Sequence, residues 1–277
     1  MRKITIITGA NSGLGFEFAR QLHKLQKNIA ESENNAEFWL IARNGEKLEE
    51  SKKKITGENG ENEKCQIKLF PLDISGKEGI ERFRNLLKTE ESNREFTIEM
   101  LINNAGFGTY GEFSDTPLEK EIDMIELNCT ALTGICGLAL RFLKKGSTII
   151  NVASLAAFLP LGNFAVYAAT KSYVLSFSVA LAAELKDKGI TVTALCPGSV
   201  STNFANVASN GERKEVLHGR SPVKVVAHCI KKARKGDKIV LWAFKWKITA
   251  FMSRFVGRYM GARYTFLHQK RPYRHES

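Results

Sequence analysis

The chain predicts an α/β fold in which a doubly wound parallel sheet lies between two layers of helix, and three observations carry that reading. Short apolar runs rich in β-branched residues alternate with longer amphipathic stretches, the pattern of strands buried on both faces and joined by crossover helices. The first such run passes directly into a glycine-rich loop, Gly9-Ala10-Asn11-Ser12-Gly13-Leu14-Gly15, and then into a helix. At 277 residues and 43% hydrophobic composition, the chain can fill one core of this kind undivided.

The elements follow in order. Lys3-Ile4-Thr5-Ile6-Ile7-Thr8 reads as the first buried strand, and the helix after the glycine loop spans 13–27. Further strands over 37–42, 66–70, 98–102, 147–152, 190–195 and 238–242 alternate with helices near 45–55, 76–89, 118–144, 166–187 and 222–234. Two connections, Asn28 to Glu37 and Glu58 to Lys64, are polar and longer than the usual loop of about two to six residues, so both read as solvated surface excursions. Residues 1–244 are expected to form a single domain, with 245–277 a basic amphipathic extension that is part of it or docked on its surface.

In a strand, glycine loop, helix arrangement, one glycine permits the tight turn, one lets the backbone approach a pyrophosphate and one brings helix close to sheet. Phosphates would then sit on free N–H groups at the helix start, where the helix dipole favours anions. The glycines fall at 9, 13 and 15, so the generic Gly-x-Gly-x-x-Gly spacing is matched in logic and not in letter.

Tyr167 and Lys171 stand one helical turn apart, with Ser154 upstream at the end of the strand Thr148 to Val152. Reduction of a ketone needs a hydride on carbon and a proton on oxygen, which gathers negative charge as the hydride arrives. A phenol has an ordinary pKa near 10, and a neighbouring ammonium favours its ionised form, so Lys171 is expected to bring Tyr167 into working range. Ser154 can donate to the carbonyl oxygen. Each residue also has a plainer reading: a Tyr-x-x-x-Lys pair on an amphipathic helix, a serine in a turn.

Taken together, these segments resemble the short-chain dehydrogenase/reductase family. Thr8-Gly9-Ala10-Asn11-Ser12-Gly13-Leu14-Gly15 is similar to its TGxxxGxG signature, Asn103-Asn104-Ala105-Gly106 to its NNAG segment, and Pro197-Gly198 with Val200 and Thr202 to its PGxVxT stretch. Asn128, Ser154, Tyr167 and Lys171 match its catalytic tetrad, and the likeness covers roughly residues 1 to 205. The resemblance implies a Rossmann-type sheet and an NADP(H) or NAD(H) cofactor. It also implies a role for Asn128 in anchoring a proton-relaying water beside Lys171. It implies cofactor contacts at Gly9, Asn11, Ser12, Gly13, Leu14, Gly15, Arg43, Asp73, Ile74, Asn104, Ala105, Gly106, Tyr167, Lys171, Pro197, Gly198, Val200 and Thr202.

Cofactor choice turns on the end of the second strand. An acidic residue there would accept hydrogen bonds from an unmodified ribose and repel a 2′-phosphate, whereas this chain offers Ala42 followed by Arg43. NADP(H) is therefore expected, the plainer reading of Arg43 being a solvated helix start. Ser12 stands where some family members carry a second basic residue and adds nothing. Asp73 matches the family position beside the adenine ring, and reads equally as an acid near a helix N-cap.

Both loops flanking the reacting carbon, Phe107 to Phe113 and Ala156 to Leu161, are apolar or aromatic. They fit a hydrophobic carbonyl or alcohol, steroid-like or fatty-acyl-like, or else pack as core; residues 203–221 lie where the family closes over substrate. From Asn210 to Ser277 Lys and Arg number 17 against 4 Asp and Glu, so the whole-chain net charge of +12 is concentrated there. Ile248, Phe251, Met252, Phe255, Val256, Tyr259 and Met260 repeat at helical spacing, with Lys247, Arg254 and Arg258 on another face. Such a helix suits peripheral contact with an anionic membrane, a cap over the substrate cleft, or a subunit contact. No nucleic-acid-binding module accompanies the charge.

Five cysteines without C-x-x-C spacing argue for buried thiols and no metal site. No Gly-x-Ser-x-Gly elbow surrounds Ser154, and the five histidines sit in no general-base context, so a hydrolase reading is weak. With no signal peptide and no run of about 18 apolar residues, a cytoplasmic protein is expected, forming a homodimer or homotetramer through the helices 118–144 and 166–187. The alternative from another class is a catalytically idle dinucleotide-binding redox sensor that docks on a membrane or partner through its basic C-terminus.

Overall fold

The computed structural model describes residues 1–29, 36–57, 65–214 and 219–274. Most of the two polar excursions, together with His218 and His275, lies outside the described residues. Seven parallel strands, β1 (Arg2–Thr8), β2 (Ala36–Ala42), β3 (Cys65–Pro71), β4 (Phe96–Asn103), β5 (Leu143–Val152), β6 (Thr191–Leu195) and β7 (Ile239–Val240), form one sheet in the order 3-2-1-4-5-6-7. The order reverses between β1 and β4, which opens a crevice at their carboxyl ends.

Helices α1 (Gly13–Ile29), α2 (Gly45–Thr56), α3 (Gly76–Asn93), α4 (Leu118–Ile125), α5 (Leu132–Ala139), α6 (Ala165–Glu184), α7 (Phe204–Ala208), α8 (Pro222–Ala233), α9 (Phe244–Met252) and α10 (Arg258–His268) complete the fold. The sheet separates two cores. On one face Phe83 of α3, Ile135 of α5 and Val174 of α6 pack over Trp39, Ile98 and Ile149. On the other, Phe18 of α1, Leu48 of α2, Val225 of α8 and Trp246 of α9 pack over Ile7, Leu40 and Ile102. Each of these large side chains, fully withdrawn from water, contributes about 1.5–3 kcal/mol, and the run-like apolar strands follow from being covered on both sides.

Toward the amino ends of the strands lies a charge cluster in which Arg2, Glu37 and Glu90 are buried and Lys68 is half-exposed. Arg2 Nη1 lies 3.1 Å from Glu37 and 3.0 Å from Glu90, while Lys68 Nζ lies 3.1 Å from Glu37 and 2.8 Å from Glu90. Trp39 Nε1 also donates to Glu37, at 2.6 Å. Burial works to raise the Glu90 carboxyl, but hydrogen bonds from Lys68 and Arg2 hold it below the usual carboxylate value.

Three elements differ from expectation. The helix expected over 118–144 ends earlier: α4 runs through a π-helical turn, Glu126–Ala131, into α5, and the chain is already strand by Leu143. The last strand keeps only two residues of the five expected, because β7 pairs with β6 only at Ala194 and Leu195. The basic C-terminal stretch is two short helices, α9 and α10, broken around Ser253–Gly257. Its apolar positions lie outward, while Trp246, Ala250, Gly261 and Thr265 face the domain.

Candidate active site

The glycine loop is tied to the loop after β4 by a single threonine. Thr8 Oγ1 accepts from the backbone N–H groups of Asn104 and Ala105, both at 3.0 Å, and Asn104 Nδ2 donates to the carbonyls of Thr8 and Gly9 at 3.1 Å. Gly9 has φ +64, and a Cβ there would stand 2.8 Å from Asn104 Nδ2; a Cβ on Gly15 would collide with the Gly9 carbonyl. Glycine is thus required at 9 by backbone conformation and at 15 by the approach of α1 to the strand end.

Beside this loop lies a cavity of about 270 Å³, bounded by Gly9, Asn11, Arg43, Asp73, Ala105 and Gly106 together with Ala42, Asn44, Lys47 and Ile74. Asn44 caps α2, its Oδ1 accepting from Lys47 N at 2.8 Å, which sets Arg43 at the helix entrance and Lys47 one turn in. Lys47 was not singled out from the sequence; its signal is the Asn44 cap, which turns the first turn of α2 toward the cavity. Asp73 does what its local reading requires, its Oδ1 accepting from Ser75 N at 2.9 Å, and it lines the cavity as well. Burial works to raise the Asp73 carboxyl, but the Ser75 hydrogen bonds and then the Arg43 and Arg82 charges hold it low.

The other expected contacts are placed unequally. Thr202 stands across from the start of α1, its Cγ2 3.4 Å from where a Gly13 Cβ would be. Ser12 is exposed, the Leu14 side chain packs toward the core, Ile74 is buried, and Val200 is buried and bridged to Arg220. Gly198 lies flat against the Trp246 indole, where any side chain would collide, and the Pro197 carbonyl accepts from Leu155 N at 2.8 Å. These last residues shape the site through their backbone.

The four tetrad candidates converge across the crevice, each nearly buried. Asn128 sits in the π-helical turn, a distortion that often marks functional sites. Its Nδ2 donates to the Phe107 carbonyl at 2.9 Å and to Thr170 Oγ1 at 3.1 Å, and its Oδ1 accepts from Phe107 N at 3.2 Å. A Cβ on Gly106 would lie 2.6 Å from Asn128 Oδ1 and 3.4 Å from Lys171 Nζ, so only glycine lets these two groups share that corner. Ser154, at the end of β5, donates to the Pro197 carbonyl at 3.4 Å and accepts from Ala156 N at 3.1 Å.

Tyr167 stacks on Phe164 at 4.1 Å between ring centroids and lies 5.3 Å from the Phe204 ring of α7. Lys171 Nζ is 5.7 Å from the Tyr167 ring centre and donates to the Val152 carbonyl at 2.9 Å. Burial dominates the electrostatics of both groups. Burial pushes the phenol above its usual value, with the Ser154 hydroxyl working the other way, and burial pulls the Lys171 ammonium down to about 8. Lys171 Nζ lies over the Tyr167 ring, and burial is the largest cause of the shift in both groups.

The apolar loops close on the same spot: Phe107, Tyr110, Ala156, Leu161 and Phe204 pack around Met124, Phe164 and Tyr167. The C-terminal segment lies over this shell, one of the placements its sequence allowed, through a residue that sequence reasoning did not single out. Arg271 Nη1 donates to the Gly162 carbonyl at 3.1 Å with its guanidinium 5.2 Å from the Phe164 ring, and the chain at Arg274 bonds Ser209. Nothing in the local pattern marks Arg271, since its partners lie more than a hundred positions away.

Residues 3–213 match the family described as short chain dehydrogenase. This chain belongs to the short-chain dehydrogenase family. Among curated relatives, a probable oxidoreductase, EphD, of Mycobacterium tuberculosis is 29% identical over 220 residues; the match takes in 77% of this chain and 34% of the relative, so the chain spans about a third of its length. A short-chain dehydrogenase from Sphingobium yanoikuyae solved with NADPH has a TM-score of 0.74 at 23% identity, covering 92% of this chain and 94% of that one. A bulky-bulky ketone specific alcohol dehydrogenase from Comamonas testosteroni gives 0.69 at 22%, covering 92% of each chain. A short-chain dehydrogenase/reductase from Burkholderia phymatum solved with NAD gives 0.72 at 17%, covering 100% and 98%. These structures share the fold. In the short-chain dehydrogenase described here, no group of three or more His, Cys, Asp or Glu side chains is placed to hold a metal ion among the described residues, and all five cysteines are free thiols.

Proposed function

We propose that this short-chain dehydrogenase is an NADP(H)-dependent oxidoreductase that interconverts a ketone and a secondary alcohol on a hydrophobic substrate, steroid-like or fatty-acyl-like. The observation that carries the reading is the convergence of Asn128, Ser154, Tyr167 and Lys171 in one desolvated corner, across from a cavity bounded by the glycine loop. That cavity has room for the adenosine end of a dinucleotide, bounded as it is by Gly9, Asp73 and Gly106, and Arg43 and Lys47 on its wall would supply cations to a 2′-phosphate. The bound nicotinamide would supply the hydride. Tyr167 holds the proton destined for the substrate oxygen, Ser154 donates to that oxygen, and Lys171 places positive charge beside the phenol as it ionises. Asn128 fixes the turn of α6 that carries Lys171 by bonding Thr170.

The aromatic shell of Phe107, Phe164 and Phe204 favours an apolar substrate, in keeping with the bulky-ketone specificity named for the Comamonas relative. We place the protein in the cytoplasm and infer a homodimer or homotetramer through α4, α5 and α6. Two apolar helical stretches, Leu118–Phe142 and Ala165–Glu184, are only partly covered within one chain, and a groove of about 990 Å³ runs between α6, the 157–162 loop and α10.

NADPH oxidation against a panel of hydrophobic ketones tests the reading: turnover by the wild-type chain that is lost in Tyr167→Phe supports it, and no turnover of any ketone sinks it. Titration of NADPH and NADH against Arg43→Ala tests the cofactor; discrimination is expected to fall by about tenfold or more, as loss of a charge-assisted phosphate contact would give. Unchanged discrimination would remove NADP(H).

A further inference from the structure

We propose that the face formed by α9, the turn after it and α10 rests on an anionic phospholipid surface. Phe244, Phe255 and Tyr259 are 76%, 69% and 77% exposed, and Phe251, Met260 and Tyr264 are exposed beside them. The Phe251 and Phe255 rings meet at 5.4 Å, so the apolar surface runs unbroken from α9 into the turn. Folded chains seldom leave large apolar side chains clustered in water without an occupant.

Charge selects the occupant. No acidic residue occurs between Asp237 and Glu276, while Lys245, Lys247, Arg254, Arg258 and Arg263 are interspersed with the aromatics. None of these five forms an ion pair among the described residues. A second copy docked two-fold on this face would bring like charges together, which disfavours self-association there. A nucleic acid would match the charge but not the exposed aliphatic side chains Ile248, Met252 and Leu267. Anionic headgroups over an acyl boundary match both.

The face is also held rigidly. Trp246 and Ala250 of α9 are buried against the domain. Thr265 of α10 accepts from Gly162 N at 2.9 Å, and Asn163 Nδ2 donates to the Phe266 carbonyl at 3.0 Å. Each helix thus has an inward side on the domain and an outward apolar and basic side, with α10 next to the 159–163 loop that leads to the aromatic shell. The inference goes beyond the reductase reading and stands without it.

The test is sedimentation of the full chain with phosphatidylcholine vesicles, with and without about a third phosphatidylglycerol, at about 0.05 and 0.5 M salt. At low salt, partition onto the anionic vesicles is expected to exceed that onto neutral ones by about tenfold or more, and to collapse at high salt. Lys247→Glu combined with Arg254→Glu should lower it about tenfold, and Phe255→Ser combined with Tyr259→Ser should weaken what remains. All four side chains are exposed, so circular-dichroism melting should stay unchanged; Tyr259→Ser alone replaces the aromatic pair if it does not. Equal binding to both vesicle types, or none, overturns the proposal. So does conversion of an oligomer to monomer by the aromatic substitutions, which gives the face to a second copy, or tighter retention on duplex DNA than on vesicles.

Discussion

Toward the amino ends of β1, β2 and β3, buried Arg2 and half-exposed Lys68 meet buried Glu37 and Glu90, and every one of these charges has an opposite partner. At the carboxyl ends of β4, β5 and β6, Tyr167 and Lys171 are buried as deeply, yet among the described residues no carboxylate pairs with either. Both ends desolvate ionisable groups of one sheet. In the first the groups are spent on each other, and in the second they are held ready at perturbed pKa for something outside the chain. Compensated burial marks structure and uncompensated burial marks chemistry.

The largest expected effect breaks this comparison most directly. Tyr167→Phe keeps the ring stacked on Phe164 and removes only the hydroxyl, so kcat should fall by about a thousandfold while the urea unfolding midpoint stays near wild type. Activity surviving the change would mean the unpaired phenol is an ordinary core tyrosine. At the opposite end, Arg2→Met leaves Glu37 and Glu90 with Lys68 as their remaining cationic partner and is expected to cost about 2–3 kcal/mol of stability in urea titrations, less than a fully stranded charge would, with kcat/KM close to wild type. A variant that melted normally but lost turnover would erase the distinction between the two ends.

The pH profile sharpens the contrast. Lys171, pulled down to about 8 by burial, is an ammonium below that pH and neutral above it. If its charge assists Tyr167, kcat/KM for reduction should fall by about tenfold per unit above pH 8. Lys171→Arg, permanently charged, should shift that limb upward. A limb that does not move denies Lys171 its role. The same shift has a sign in folding: the folded state disfavours the ammonium, so this residue's contribution to stability rises as pH climbs from about 8 toward the ordinary 10.5 and is absent below about 8.

How far the sequence could be read follows the same division. The alternation of strands, the glycine loop and the tetrad are local patterns, and the sheet places them as read because each motif sits at or just after a strand end or on a helix facing that edge. The electrostatic balance at Tyr167 was not legible, because desolvation by Phe164, Phe204 and Tyr110 arrives from three separate segments. The helix over 118–144 was overextended because Leu140-Arg141-Phe142 continues the apolar period, although β5 has begun by Leu143 and Gly146, with φ +94, lies within it. At the C-terminus the helical spacing is real, but Gly257 divides it. The face that packs carries Trp246 and Ala250, which leaves most of the apolar positions that the periodicity picked out on the outward side.

Lys47 gives the smallest test and the finest one. It shares with Arg43 the wall of the cavity beyond β2, but both are exposed, and a solvent-screened point charge on a flexible stem is worth less than a guanidinium with a planar fork. Lys47→Ala is therefore expected to reduce preference for NADPH over NADH by about threefold, less than Arg43→Ala, with stability unchanged. Were Lys47→Ala the more damaging of the two, the cavity would read its phosphate from the first turn of α2 and not from the strand end.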